Sequence, residues 1–588
     1  MKGRRALLFS LLALLSAAGQ GGVAKATGPS DPAELEAFVD GAMRALMESH
    51  KAPGATLSVV KDGEILLAKG YGYADVAQRV PVDAESTLFR IASVSKLFTW
   101  TALMQLAERG EIDLEEDVNS YLDFEIPPTF PQPITPKHLL THTAGFEDRY
   151  RGLFGDGIED LGPLRDILAN NIPARVFPPG RESAYSNYGA ALAGYLVERI
   201  SGMPFEQYVE ERIQAPLDMR HSTFRQPVPA EMERDLAIGY AWRDGGYEAQ
   251  AFEYDPAIAD GAMSTSAVDM AHFMLAHLRD GRYGARRILR EETAKQMRRR
   301  IFGHGPRIAG MAYGFYEIDL NGQRGIGHGG DLFYFHTDLL LLPEHDLGLF
   351  VSFNSDSGSR ARDEIVRLFL DRYYPTSEGA PAEPPADFAA RASRYTGRYR
   401  VNRYPHETLE KTALLAFGDG VVSAPESGGL LLELMGEHAR LAEIEPLLFR
   451  VVSGELALGT DRVAFGTTAS GEVDRLFAMP VMILHKLAWY DTVLFQRGLL
   501  ALCLAIFAAA AVSASWRLVT RKTDSPLVRW RYRAIVGLGV VHVAFAVGFG
   551  AMLLQSMDTA LIPESVSYLL FLPVASIALT LCIASLVA

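Results

Sequence analysis

The chain has 588 residues, of which 48% are hydrophobic and 22% charged, close to globular values, so a fibrous or wholly disordered chain is excluded. The net charge of −14 comes without a long basic run, which argues against a nucleic-acid binder. The only cysteines are Cys503 and Cys582, so everything before them lacks a disulfide framework, a thiolate metal site and a cysteine nucleophile.

At about 100–200 residues per domain, a chain of this length holds several folded units. It opens with Lys2, Arg4 and Arg5, an apolar stretch over residues 6–18, and small residues including Ala24-Lys25-Ala26. That order predicts a secretory signal peptide over residues 1–26, whose apolar part is too short to span a bilayer. In residues 27–375, two apolar runs at 55–60 and 64–68 flank Lys61-Asp62-Gly63 and predict a hairpin, because Asp-Gly suits a tight turn. Apolar residues recur at helical spacing over 95–107, with Gly110 as a stop, and 348–353 reads as a buried strand. Strands at both ends around a helical middle predict an α/β sandwich.

Residues 376–390 (TSEGAPAEPPADFAA) read as a linker. Within residues 391–480, strand-like runs at 396–401, 429–434, 440–444, 448–452 and 462–467, broken by glycine, predict a small β-barrel. Two roles stay open for it, a cap that shapes the substrate entrance and a spacer. Three uncharged apolar stretches, 498–516, 534–554 and 568–588, each have about the length that crosses a hydrocarbon core. The loop 517–533 carries Arg517, Arg521, Lys522, Arg529, Arg531 and Arg533, whereas 555–567 has no lysine or arginine. Keeping the positive loop inside makes 517–533 cytoplasmic, 498–588 a three-helix transmembrane region, and residues 27 to about 490 external. No charge lies within a span to mark a transport path.

Three short motifs carry chemistry. In Ser93-Val94-Ser95-Lys96, a serine and a lysine three residues apart at a helix start share one face. The positive end of the helix favours developing anionic charge there, and a lysine in a dry site can help activate the hydroxyl. Tyr185-Ser186-Asn187 follows a proline-glycine turn and opens a helical run to Gly202. A tyrosine between a lysine and a nucleophile can shuttle a proton, and Asn187 can hydrogen-bond an amide carbonyl. In His328-Gly329-Gly330, the glycines let a backbone edge approach a ligand, and the N–H of Asp331 can pair with that of Ser93 as an oxyanion hole. His138 and His142, four residues apart, imitate a metal pair, but no third ligand stands near them in the sequence.

In this order the motifs resemble those of the serine β-lactamase and penicillin-binding-protein superfamily, in its branch of class C β-lactamases, D-aminopeptidases, D,D-peptidases and related esterases. The likeness extends to LFRIASVSKLFT (88–99), ITPKHLLTHTAGF (134–146), YSNYGAALAGYLVERISG (185–202), APLDM (215–219), MSTSAVDMAHFM (263–274) and GHGGDLFYF (327–335). The resemblance implies an antiparallel sheet flanked by helices with an all-helical subdomain, followed by a lipocalin-like barrel and the three spans. It implies that Ser93 forms an acyl-enzyme, that Lys96 and Tyr185 move protons, and that Asn187, His328, Gly330 and Asp331 contact the substrate, with no cofactor or metal. His-Gly-Gly stands where β-lactamases have Lys-Thr-Gly, so attraction for a β-lactam carboxylate is expected to be weak, and Tyr334 is expected to narrow the pocket. The expectation is a peptidase acting on D-amino-acid-containing peptides on the outer face of a bacterial inner membrane. An esterase or β-lactamase of the same fold, and a non-catalytic sensor of cell-wall fragments, are the alternatives; oligomeric state stays open.

Overall fold

The computed structural model describes residues 28–559 apart from 156, 377–384, 386 and 521–524. The predicted signal peptide, most of the predicted linker and the third apolar stretch lie outside the described residues. The predicted hairpin is β1 (Gly54–Lys61) and β2 (Glu64–Asp75). Its turn places Asp62 and Gly63 at φ 54° and 90°, the left-handed pair that a two-residue hairpin turn needs. β3 is Val80–Pro81, and the later strands are β4 (Tyr316–Leu320), β5 (Gln323–Asp331), β6 (His336–Leu342) and β7 (Leu347–Phe353). They form one antiparallel sheet in the order β4-β5-β6-β7-β1-β2-β3, so the two ends of the domain meet where β7 pairs with β1.

Both faces of this sheet are covered. Helix α1 (Pro32–Ser49) begins at Asp31, whose carboxylate accepts from Ala33 N–H at 3.0 Å. Its Leu35, Val39, Met43 and Leu46 form one stripe that packs on Leu57, Val59, Leu349 and Val351. The opposite face carries Val60, Leu339, Leu341 and Phe350 and joins the core of the helical part. There α2 (Lys96–Glu108) meets α3 (Asn187–Ser201) and α4 (Ala267–Leu278). The helical spacing read over 95–107 suggests one apolar face; instead every residue of α2 from Lys96 to Leu106 is buried. Its polar side chains are therefore partnered: Thr99 donates to Ala259 C=O at 2.5 Å, and Gln105 to Ile288 C=O at 2.8 Å.

Beyond α5 (Gly358–Tyr373), eight strands close a barrel: β8 (Gly397–Val401), β9 (Gly420–Ser423), β10 (Leu430–Leu434), β11 (Glu437–Glu445), β12 (Leu448–Gly454), β13 (Arg462–Thr467), β14 (Val473–Met479) and β15 (Met482–Lys486). Five match the runs predicted from sequence; β9, β14 and β15 do not follow from them. Pairing of Tyr399 with Lys486 closes the ring. Tyr395, Tyr399, Phe449 and Phe465 fill the interior, so this barrel is a packed core and no ligand container.

Among the described residues, one helix, α6 (Val493–Thr520), is long and apolar enough to cross a membrane. Only Val493 and Ala514 in it are buried, unlike the core helix of a soluble domain. The second predicted span lies within α7 (Pro526–Thr559). Among the described residues one membrane-spanning helix is thus supported, not the three predicted.

Gly194 on α3 shows how tightly the helical part is built, because a Cβ there would lie 2.2 Å from Ala259 Cβ. Glycine-to-alanine in a helix interior ordinarily gains up to about 1 kcal/mol. Here overpacking costs about 1–3 kcal/mol, so Gly194→Ala should lower stability in denaturant unfolding.

Candidate active site

Ser93 lies in a tight turn of 3-10 type over Ala92–Ser95 that runs into α2, so it stands about one turn before the α-helix begins at Lys96 rather than at its first residue. Ala92 is forced to φ 49°, a conformation that costs an L-residue about 1–2 kcal/mol. The neighbours hold it there: Ile91 N–H donates to Met263 C=O at 3.0 Å, and Ser95 Oγ accepts from Met263 N–H at 3.1 Å. Lys96 is fully buried, and its Nζ lies 3.0 Å from Ser93 Oγ and 2.5 Å from Asp260 C=O.

Tyr185-Ser186-Asn187 divides its labour by position. Ser186 is the N-cap of α3, its Oγ accepting from Gly189 N–H at 3.0 Å. Capping fixes Tyr185 before the helix and Asn187 as its first residue, both on the wall of the same cavity. Tyr185 is 7% exposed, with Lys96 Nζ 5.0 Å from its ring centre. The backbone around it is held from two sides. His142 Nδ1 accepts from Ser186 N–H at 3.2 Å, and the carbonyl of Val481, in the β14–β15 turn of the barrel, accepts from Tyr185 N–H at 3.0 Å.

β5 brings His328, Gly329 and Gly330 alongside Ser93. A Cβ on Gly330 would stand 2.2 Å from Ile91 O and 3.1 Å from Ser93 N, so the motif needs glycine for close approach to the nucleophile's turn. His328 Nδ1 lies 2.6 Å from Gly329 O, an acceptor only, which puts the ring hydrogen on Nδ1 and leaves Nε2 a lone pair. Burial, then nearby Lys96, pushes this imidazole down to about 3, so it carries no charge near neutral pH. Asp331 ends β5; its carboxylate lies 2.7 Å from both Arg362 and His336, which outweigh burial and keep it ionised.

Ser93, Tyr185, Asn187, His328, Gly329 and Asp331 line a cavity of about 660 Å³, large enough for a short peptide. Tyr334 does not line it: its side chain packs against Gly239, so the expected narrowing does not occur. His138 and His142 do not act as a pair. His138 Nδ1 accepts from Thr135 N–H at 3.1 Å and caps a helical turn, while His142 stacks on Tyr185 with ring centres 4.3 Å apart.

Sequence reasoning missed three contributors. Asp260 carries a carboxylate oxygen 4.0 Å from Lys96 Nζ and interacts with the nearby Asp255; burial raises both, so the pair tends to hold a proton. Arg403, from the loop after β8, lies over the Tyr185 ring at 4.7 Å and lines the cavity with Met479–Met482. No local motif marks these positions. Only an acidic residue beside Gly261, before the MSTSAVDMA stretch, could have singled out Asp260.

The Beta-lactamase family profile matches residues 39–371, from α1 through most of α5. Protein flp of Staphylococcus aureus (strain MW2) is 28% identical over 320 residues, which is 52% of this chain and 60% of that protein. A protein of Escherichia coli (strain K12) named Beta-lactamase is 31% identical over 254 residues, 42% of this chain and 62% of its own. The chain therefore spans less than two thirds of these relatives. Among solved structures, the octameric penicillin-binding protein homologue from Pyrococcus abyssi superposes with a TM-score of 0.51 at 24% identity, covering 77% of this chain and 100% of its own. SurE gives 0.54 at 23%, covering 78% and 100%, so the likeness in fold takes in the barrel as well. The chain belongs to the Beta-lactamase family of serine hydrolases.

Proposed function

We propose that this protein is an exported, membrane-anchored peptidase that cleaves an amide through an acyl-enzyme on Ser93. The observation that carries the reading is the 3.0 Å approach of Lys96 Nζ to Ser93 Oγ, behind a cavity that Ser93 and Tyr185 both line. Ser93 Oγ attacks the carbonyl carbon and passes its proton to the Lys96–Tyr185 pair. The same pair protonates the amine as the C–N bond breaks, and water then releases the acid by the reverse proton path. The N–H groups of Ser93 and Asp331 receive the oxyanion, and Asn187 and His328 orient the substrate through hydrogen bonds.

A D-amino-acid-containing peptide is favoured over a β-lactam because His328 offers no positive charge to a β-lactam carboxylate. The signal-peptide pattern supports the same choice, since cell-wall peptides lie outside the membrane. Anchoring is supported by α6, and exposed Trp489 and Tyr490 just before it suit a membrane interface. In this reading α6 anchors the protein, with the hydrolase domain and barrel on the outer face.

Incubating the full-length protein in detergent with a D-amino-acid anilide, its L-enantiomer, a short-chain ester and a cephalosporin should give turnover of the D-anilide. Intact-mass analysis should then show acyl-Ser93, and Ser93→Ala should lose both signals. Ester turnover without chirality would make the protein an esterase, and no adduct from any probe would overturn the acyl-enzyme. Gly330→Ala should separate β5 from the Ser93 turn and lower kcat/KM by about 100-fold, as misplacement by an ångström does, without loss of fold by circular dichroism.

A further inference from the structure

Tyr185 is faced by ionisable groups from both domains. Lys96 lies 5.0 Å from its ring centre, the His142 ring 4.3 Å, the His328 ring 5.9 Å and the Arg403 guanidinium 4.7 Å. Tyr316 stands on the far side of His328, its hydroxyl accepting from Gly329 N–H. Behind Lys96 is Asp260, and behind Arg403 is Asp148, which accepts from Arg403 Nε at 2.7 Å. Burial holds His142 and His328 neutral, which leaves Lys96 and Arg403 as the positive charges next to the phenol. The strand position that carries a lysine in the resembling β-lactamases therefore supplies no charge in this chain.

We infer that Arg403 is a positioning residue delivered by the barrel: stacked on Tyr185 and tethered by Asp148, it supplies the second positive charge at the proton-transfer centre. The inference rests on the acyl-enzyme reading. The tether is built on both sides of the domain boundary. Asn402, next to Arg403, donates to Ser183 C=O at 2.9 Å, and its Oδ1 accepts from Ile483 N–H at 3.1 Å. Glu147, next to Asp148, accepts from His406 N–H at 2.6 Å and Glu407 N–H at 2.9 Å. The loop after β8 is thus pinned at four points around the guanidinium, which cannot swing away without breaking buried hydrogen bonds.

A cation at this range favours the deprotonated form of whichever group accepts the Ser93 proton, Tyr185 or Lys96. Removing it raises the pH at which that group loses its proton, so the acidic limb of kcat/KM moves up. Removing the Asp148 carboxylate leaves Arg403 uncompensated and moves the limb down. The test measures kcat/KM against pH for the full-length enzyme and four variants, on the substrate the wild type turns over best. Arg403→Gln should shift the acidic limb up by about one pH unit, with a loss of up to about tenfold on that limb that recovers towards high pH. Asp148→Asn should shift it down, and Arg403→Lys should keep the wild-type limb. Arg440→Gln, a barrel arginine that donates to Ser427, should leave the profile unchanged. An Arg403→Gln variant that loses rate equally at every pH, or loses none, overturns the inference. A wild type inert to every probe overturns the acyl-enzyme reading instead.

Discussion

The site depends on one close approach, that of the Ser93 turn to β5. The turn needs Ala92 in a left-handed conformation, and β5 can lie against it only because residue 330 has no side chain. Strain of this kind persists where the surroundings over-determine it. Here the Ile91 and Ser95 bonds to Met263 do so, and they tie the nucleophile to the MSTSAVDMA segment that leads into α4. The total burial of α2 follows from the same geometry. A helix that starts against β5 and carries Lys96 inward runs through the middle of the helical core, so its polar residues need internal partners.

The barrel contributes through its rim. Its interior is filled with aromatic side chains, so ligand chemistry can come only from its outer loops and turns. The β14–β15 turn gives the Val481 carbonyl to Tyr185, and the loop after β8 gives Arg403. On another side, Asp461 N–H donates to Asp319 C=O at 2.6 Å, and Asp319 N–H to Gly459 C=O at 3.2 Å, so the barrel also covers the open edge strand β4. An uncovered edge would be a site for wrong pairing. The same docking that completes the cavity also removes that liability.

What could be read from the sequence was chemistry set by near neighbours. Ser93 and Lys96 share a turn, Ser186 caps the helix that Asn187 begins, and Gly330 keeps the β5 backbone bare; each is a requirement over three or four residues. The α/β sandwich was legible for a similar reason, since the hairpin and the 348–353 run are strong local signals at opposite ends of one domain. Arg403 and Asp148 are 255 residues apart and meet only because two domains dock, so no pattern links them. Tyr334 was misjudged because it lies in the turn between β5 and β6, where no regular alternation says which way a side chain points. In β14 and β15, charged residues such as Arg475 and Lys486 on the outward face blurred the apolar alternation of short strands.

The placement of charge ties function to domain docking. A lysine on β5 would keep its charge at the nucleophile as long as the sheet is folded. A neutral histidine there, with the cation on the barrel, makes the proton-transfer centre complete only while the two domains are apposed. The apposition is largely polar: His485 to Glu182 at 2.8 Å, Arg403 to Asp148 at 2.7 Å, and the backbone bonds to Glu147. Their carboxylates are buried and the bonds are directional, so they hold the register of the two domains. Register is what a charge 4.7 Å from a phenol ring requires, because at that range a displacement of a few ångströms removes much of the field that favours proton loss.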